Sequence, residues 1–177
     1  MSAFQYSAPV TLRITRALPR DAQALADLRV AVARGMTRQH GQGHWSSCPS
    51  KAEVSRQLRA SHVLVARQGA RIVGTVRLAT AIPLAIDSGA FTSVASALYV
   101  LGLAVAPECR HQGIGRALME AAKDVARARP AQALWLDAYD SEVGAGPFYS
   151  RCGFRRVGPS NLKEVPLVFY EWLVGSR

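Results

Sequence analysis

The fold of this chain is decided by the stretch Val105-Ala106-Pro107-Glu108-Cys109-Arg110-His111-Gln112-Gly113-Ile114-Gly115-Arg116. An apolar run typical of a buried strand, residues 97–106, ends before Pro107, and a helical pattern begins at Gly113. Backbone N–H groups at such a turn lack partners, and the helix dipole places partial positive charge there. The stretch therefore predicts an anion site, typically for phosphate.

Glycine and arginine residues make this turn suitable for a bulky phosphate group. Gly113 and Gly115 allow the backbone to approach a ligand closely, because no Cβ stands in the way. Arg110 and Arg116 flank the turn and add charged hydrogen-bond donors. The motif GxxxxGK[ST] is absent, and Leu118 occupies the third glycine position of the dinucleotide fingerprint. A purely structural glycine turn is the alternative, but the strand–turn–helix context and the arginines favour a phosphate site.

Strand and helix patterns follow one another along the whole chain, without a linker or an internal repeat. The predicted strands are residues 11–17, 62–67, 71–80, 97–106, 133–139, 154–157 and 165–174. The predicted helices are residues 19–35, 51–59, 113–129 and 144–152. Gly35 is expected to end the first helix, and Ser50 with Glu53 predicts a capping box for the second. This order predicts one α/β or α+β domain, residues 1–177, with a mixed sheet.

Composition and charge narrow the class of protein. The 177 residues are 49% hydrophobic and 19% charged, which is typical of a globular domain and excludes disordered, collagen-like and coiled-coil chains. Lysine and arginine number 22 against 12 acidic residues, a net charge of +10. The excess suits an anionic partner, although a compositional bias toward alanine and arginine explains it equally well. Without a nucleic-acid motif or clustered lysines, we expect no nucleic-acid partner.

Cysteine usage and hydropathy favour a cytoplasmic location for the protein. The three cysteines, Cys48, Cys109 and Cys152, form no paired spacing, which favours a reducing environment. The N-terminus carries no secretory pattern, and the longest apolar run is shorter than the roughly 18 residues that span a bilayer. We expect a cytoplasmic protein without a membrane partner.

Two blocks resemble the GCN5-related N-acetyltransferase (GNAT) superfamily. Arg110-x-x-Gly113-x-Gly115 is similar to its acetyl-CoA signature. The later block Ala145-x-x-Phe148-Tyr149-x-x-x-Gly153-Phe154, about ten residues after Leu136-Asp137, resembles a short helix that ends in tyrosine before a Gly-Phe turn. The order of elements also matches that fold over nearly the whole chain. The resemblance implies a mixed, mostly antiparallel twisted sheet with splayed central parallel strands and flanking helices.

The same resemblance implies an N-acetyltransferase with acetyl-CoA as acetyl donor and no metal. The acceptor would be a primary amine of a small molecule or peptide, and a homodimer stays open. The strand at 100–106 would splay from the strand at 133–139, and the pantetheine arm would lie between them. The implied cofactor-binding residues are Leu103, Ala104, Val105, Arg110, His111, Gln112, Gly113, Ile114, Gly115 and Arg116.

Tyr149 resembles the residue that protonates the leaving thiolate, and a phenol with a pKa of about 10 suits that role. Packing beneath the Gly153–Phe154 turn is the alternative. The strand glutamate that often deprotonates the amine is missing, since Val100, Leu101 and Gly102 occupy its candidate positions. The candidate bases are Glu171, Asp87, Asp140 and Glu142, the last standing where the family often has asparagine. The missing glutamate leaves an acyl-CoA sensor without turnover as the alternative function.

The segment after the first helix carries His40 and His44, spaced like two metal ligands on one helix face. The glycines around them argue against a helix there, so we expect the segment 40–49 to line the acceptor pocket instead. Cys109 and Cys152 lie beside the cofactor motifs without a neighbouring base, so they are expected to be small packing residues.

Overall fold

In the computed structural model, the strands form one sheet that is flanked by the helices. The structure describes residues 11–81, 88–142, 144–160 and 166–175. The strands are β1 (Leu12–Arg16), β2 (His62–Gln68), β3 (Arg71–Ala79), β4 (Ala97–Val105), β5 (Ala133–Tyr139), β6 (Arg155–Ser160) and β7 (Leu167–Leu173). The helices are α1 (Ala22–His40), α2 (Lys51–Ala60), α3 (Ile114–Ala128) and α4 (Gly146–Arg151). Short 3₁₀ turns lie at Pro19–Asp21, His44–Ser46, Ser88–Ala90 and Pro107–Cys109.

The sheet has the spatial order β1-β2-β3-β4-β5-β7-β6. Every neighbouring pair is antiparallel except β4 and β5, which run parallel. The β4–β5 ladder covers only Ala97–Tyr99 against Ala133–Trp135, and the two strands diverge beyond it. The predicted fold class, including the splayed central parallel strands, is confirmed.

Two apolar clusters hold the helices and loops on this sheet. The larger one joins residues of α1, α2 and α3 to the sheet and includes Val65, Leu118 and Met119, which are almost fully buried. The smaller cluster is aromatic, with the Phe91 ring stacked on Trp135 at 4.6 Å and beside Tyr99 and Phe169. The segment 81–96 is rich in loop-forming residues, which predicts an exposed loop, but the ring of Phe91 is buried and packs the end of this segment against the sheet. Residues 82–87 lie outside the described residues.

Gly35 does not end the first helix, which continues to His40, so the predicted loop at 36–50 is shorter than expected. A Cβ at position 35 would lie 3.3 Å from Cγ of Pro107, so the glycine lets α1 approach the turn after β4. The helix also starts later than predicted, since Pro19–Asp21 forms a 3₁₀ turn. The sequence pattern could not separate a packing glycine from a terminating one.

The other differences are at element ends. Strand β4 is not buried on both faces along its whole length. Leu101 and Leu103 are half-buried and Gly102 is exposed, because β5 no longer pairs with β4 beyond Tyr99. Helix α4 is shorter than predicted, and β6 runs on to Ser160 instead of ending at residue 157. The remaining described elements match their predictions to within about two residues. No helix in the described part of the chain is both long and apolar enough to cross a membrane.

Candidate active site

A cleft of about 360 Å³ opens where β4 and β5 diverge. A bulge in β4 helps to form it, since Thr75 pairs with Ala104 but Arg77 pairs with Leu101, which leaves one extra residue on β4. Gly102 takes up this irregularity with a φ of +59°. Helix α1 and the segment after it close the other side of the cleft. The lining residues are Val32, Met36, Trp45, Leu103, Ala104, Val105, Arg110, Asp137, Ala138, Tyr139, Gly144, Ala145, Tyr149 and Leu167.

A second groove, of about 390 Å³, lies at the N-terminus of α3. His111 and Gly113 have φ values of +62° and +78°, which turn the chain sharply before the helix. No side chain caps the helix at Gly113, so the N–H groups of its first turn are available to an anion. Val105 and Arg110 line both this groove and the cleft, so one elongated ligand can occupy the two together.

Most residues predicted to bind the cofactor lie in these two spaces. Leu103, Ala104 and Val105 line the cleft, whereas His111, Gly113, Ile114, Gly115 and Arg116 line the groove and Arg110 lines both. Gln112 differs, because its side-chain amide donates to the carbonyl of Glu108 at 3.2 Å. Arg151, which the sequence reasoning missed, adds a further guanidinium to the groove from α4.

Tyr149 lies in α4 with its ring largely buried and also lines the cleft. Its ring centroid is 6.1 Å from that of Phe154 and 6.0 Å from that of Tyr170, so it packs beneath the Gly-Phe turn as well. Burial raises the pKa of the Tyr149 phenol above its usual value, and the negative charge of Asp137 raises it further. The phenol therefore stays protonated at neutral pH, as a proton donor to a thiolate must.

Asp137 is a carboxylate in the cleft that the sequence reasoning did not consider as a base. It lies on β5, half-buried, and its Oδ1 accepts a hydrogen bond of 2.6 Å from Oη of Tyr99 on β4. Burial, together with the neighbouring carboxylate, raises the pKa of Tyr99 well above its usual range, so the hydroxyl remains the donor. A signal existed in the sequence: Asp137 is the one charged residue in the apolar run Ala133–Tyr139.

Three of the four carboxylates proposed as bases lie outside the cleft. Glu171 is almost fully buried, pairs with Arg155 and accepts hydrogen bonds from Thr92 N–H and Oγ1. Asp140 is exposed and pairs with Arg156 at 3.0 Å, and Glu142 is exposed in the following turn. The fourth, Asp87, lies outside the described residues.

The segment after α1 reaches the cleft through Trp45. Its ring packs edge-on against Tyr139 with centroids 5.8 Å apart and against His40 at 6.2 Å, and its Nε1 donates to Gly41 O. His40 is the last residue of α1, and the side chain of His44 is not among the described ones. Within the described ranges no cluster of three His, Cys, Asp or Glu side chains is suited to a metal ion. Cys109 and Cys152 are buried packing residues with free thiols.

A model of the acetyltransferase (GNAT) family matches residues 29–154, which include the groove, Tyr149 and every residue lining the cleft except Leu167. The chain belongs to the GNAT acetyltransferase family. No match was found among the curated proteins.

Solved structures support the same assignment of fold. An aminoglycoside 6′-acetyltransferase type Ii is similar over 93% of this chain and 99% of its own, with 16% identity and a TM-score of 0.68. The protein YncA from Salmonella typhimurium, solved with its cofactor acetyl-CoA, has 16% identity over 94% and 95% of the two chains and a TM-score of 0.68. The PaiA N-acetyltransferase from Thermoplasma acidophilum, solved in complex with coenzyme A, has 14% identity over 92% and 99% and a TM-score of 0.69.

Proposed function

We propose that the protein is an acetyl-CoA-dependent N-acetyltransferase that moves the acetyl group directly to a primary amine. The observation that carries the proposal is the position of Asp137 and Tyr149 in one cleft, which is continuous with the cationic groove at the start of α3. The groove would take the pyrophosphate, between the helix N–H groups and Arg110, Arg116 and Arg151. The cleft would take the pantetheine arm along Leu103–Val105, with the thioester at its far end.

Asp137 suits the acceptor side of this reaction. An alkyl amine has a pKa near that of lysine, about 10.4, so it reaches the cleft as an ammonium ion and must lose a proton before it can attack. The Asp137 carboxylate attracts the ammonium and accepts that proton, which frees the nitrogen lone pair for attack. The hydrogen bond from Tyr99 fixes the orientation of the carboxylate.

The remaining steps follow from the same residues. The amine nitrogen attacks the thioester carbonyl carbon, and the resulting oxyanion is stabilised by backbone N–H groups near Val105. The C–S bond then breaks, and the electron pair stays on sulfur. Tyr149 donates its phenolic proton to this thiolate and is reprotonated from solvent after the products leave. The nitrogen loses two protons in all: Asp137 accepts the first and passes it to water, and the second leaves to water as the tetrahedral intermediate collapses. Solvent returns one proton to Tyr149, so the products are the N-acetylated amine, free CoA and one proton.

The acyl-CoA sensor hypothesis depended on the lack of a carboxylate near the thioester. Asp137 supplies a carboxylate from β5 instead of β4, so that reason no longer favours a sensor. The phenol of Tyr149 also supports turnover, because a protein that only binds acyl-CoA requires no proton donor.

The decisive experiment measures thiol release from acetyl-CoA in the presence of a panel of primary amines. We expect release that depends on the amine, and a rate reduced roughly 10²–10⁴-fold in Asp137→Asn with unchanged CoA affinity. Asp140→Asn is the matched control, because Asp140 lies three residues away and pairs with Arg156 outside the cleft. A wild-type protein that binds acetyl-CoA but releases no thiol with any amine would contradict the proposal and support the sensor.

A further inference from the structure

We propose that Arg29 and Arg77 form a carboxylate-binding pocket beside the cleft. The acceptor is then an amine that also carries a carboxylate, such as a free amino acid. This inference rests on the proposed acetyltransferase function and names the chemical class of its acceptor.

The two arginines line one small pocket between α1, α2 and β3, which also touches the β4 bulge. Its cavity measures about 20 Å³, enough for a water-sized group but not for a whole substrate. The lining contains no acidic side chain among the described residues. It consists of Leu25, Arg29, Pro49, Val54, Gln57, Leu58, Val63, Thr75, Arg77 and Gly102.

The positive charge of this pocket is not neutralised in the described ranges. No carboxylate there forms an ion pair with Arg29 or Arg77. Burial lowers the pKa of both guanidinium groups, and the charge of Arg77 lowers that of Arg29 further. Two half-buried cations side by side are unfavourable on their own, and an anion bound between them removes that cost.

Arg29 is held in place for such a role. Its Nη1 donates a hydrogen bond of 2.7 Å to the carbonyl of Gly102, which uses one of the five N–H groups of the guanidinium fork. A Cβ at position 102 would meet the same Nη1, so a larger residue there would displace the guanidinium from this position. The planar fork suits a carboxylate, which it binds through two parallel hydrogen bonds.

The pocket lies next to the part of the cleft where the amine must react. Arg29, Val32 and Met36 are spaced three and four residues apart, so they share one face of α1, and the latter two line the cleft. Three residues advance a helix by about 4.5 Å. Gly102, in the pocket, also directly precedes Leu103, in the cleft. A carboxylate at the arginines would therefore lie at the edge of the cleft that also contains Asp137, so we expect one amino acid to reach both.

Coenzyme A does not explain these two arginines. Its phosphates are assigned to the groove at α3, which has three cations of its own, Arg110, Arg116 and Arg151. Arg29 and Arg77 line neither that groove nor the cleft. Their position on the α1–α2 side favours the acceptor as the source of the anion.

The test is calorimetric titration of the CoA-saturated protein with a panel of L-amino acids and their carboxamides. We expect the wild type to bind at least one amino acid roughly 10–100-fold more tightly than its amide, because only the acid carries the charge. Arg77→Gln should lose this preference, Arg77→Lys should regain part of it, and CoA affinity should not change. Arg34→Gln removes an exposed arginine of α1, the helix that carries Arg29; it is the control and should behave as wild type.

Equal binding of acids and amides, no binding of any acid, or an unchanged preference in Arg77→Gln would overturn the inference. The thiol-release assay separates this failure from failure of the proposed function. Acetylation of amines without regard to a carboxylate would leave the transferase in place and remove the pocket. Arginine-dependent binding of an amino acid without thiol release would leave the pocket in place and remove the transferase.

Discussion

At the scale of single residues, the cleft combines two groups with opposite tasks. In the proposed reaction, Asp137 takes a proton from the amine and Tyr149 gives one to the sulfur. Their environments suit these tasks, because burial and the nearby negative charge raise the pKa of Tyr149 and keep its phenol protonated. Asp137 is half-buried and oriented by Tyr99, so it remains accessible to an acceptor.

Removing the Tyr149 hydroxyl should slow transfer without weakening cofactor binding. Tyr149→Phe keeps the ring packing against Phe154 and Tyr170, so the affinity for CoA, measured by calorimetry, should hardly change. The rate of acetyl transfer should fall by roughly 10²–10⁴-fold, the usual effect of a positioned general acid. Because the pKa of Tyr149 lies above its usual value, the wild-type rate should show no alkaline loss from this phenol below pH 10. An unchanged rate in Tyr149→Phe would reduce Tyr149 to a packing residue.

Glu171 should matter for stability and not for catalysis. Burial opposes its ionisation, yet hydrogen bonds from Thr92 and the pairing with Arg155 outweigh burial and hold its pKa below the usual value. Glu171→Gln should therefore lower the free energy of unfolding by about 1.5–3 kcal/mol at pH 7, measured by urea denaturation. Since the native pKa is lowered, this stabilisation is present above about pH 4.5 and is lost as the pH falls through the native value.

The control for this prediction is Glu108→Gln. Glu108 pairs with Arg71 at the surface, where an ion pair contributes little, so its loss should cost under about 1 kcal/mol. A large loss of transfer rate in Glu171→Gln, with the fold intact, would return Glu171 to the list of candidate bases.

At the scale of elements, local signals in the sequence determined most starts and ends. The capping box of α2 is an example: Glu53 N–H donates to Ser50 Oγ at 3.3 Å, and Glu53 Oε2 accepts from Ser50 N–H at 2.7 Å. Such a motif lies within four residues and needs no tertiary context. Gly35 shows the opposite case, because its role depends on Pro107, a residue of another element that the local pattern does not include.

Loss of the capping serine should destabilise the protein measurably. Ser50→Ala removes the acceptor for the Glu53 N–H, so the free energy of unfolding should fall by about 1 kcal/mol, with a drop in Tm of about 2–4 °C in calorimetry. Ser55→Ala in the same helix is the control, since Ser55 Oγ only bonds back to Lys51 O and its loss should be nearly neutral. Equal effects of the two substitutions would mean that the cap contributes nothing.

At the scale of the whole molecule, the fold was more predictable than the site. Strands and helices come from periodic burial, which the sequence displays directly, and the signature from Arg110 to Gly115 identified the groove. Asp137 was missed because its partner Tyr99 stands 38 positions away in the chain, and only folding brings the two side chains together. The Arg29–Arg77 pair was missed for the same reason: the two positions are 48 apart in the chain, and only the packing of α1 on the sheet brings them to one pocket.

The central claim is that the groove at α3 and the cleft between β4 and β5 bind one CoA together. The most direct test is calorimetric titration of CoA into the wild type, Gly113→Glu and Gly113→Gln. A Cβ built at Gly113 has no non-neighbouring atom within 4 Å, so both the Glu and the Gln side chain fit the unliganded protein. Both variants also carry the same backbone strain from the positive φ, so they differ only in charge. We predict one CoA per wild-type chain, a moderate loss of affinity in Gly113→Gln, and a further loss of at least roughly 100-fold in Gly113→Glu, which places a carboxylate in the anion site. Equal affinity of the Glu and Gln variants would contradict the account.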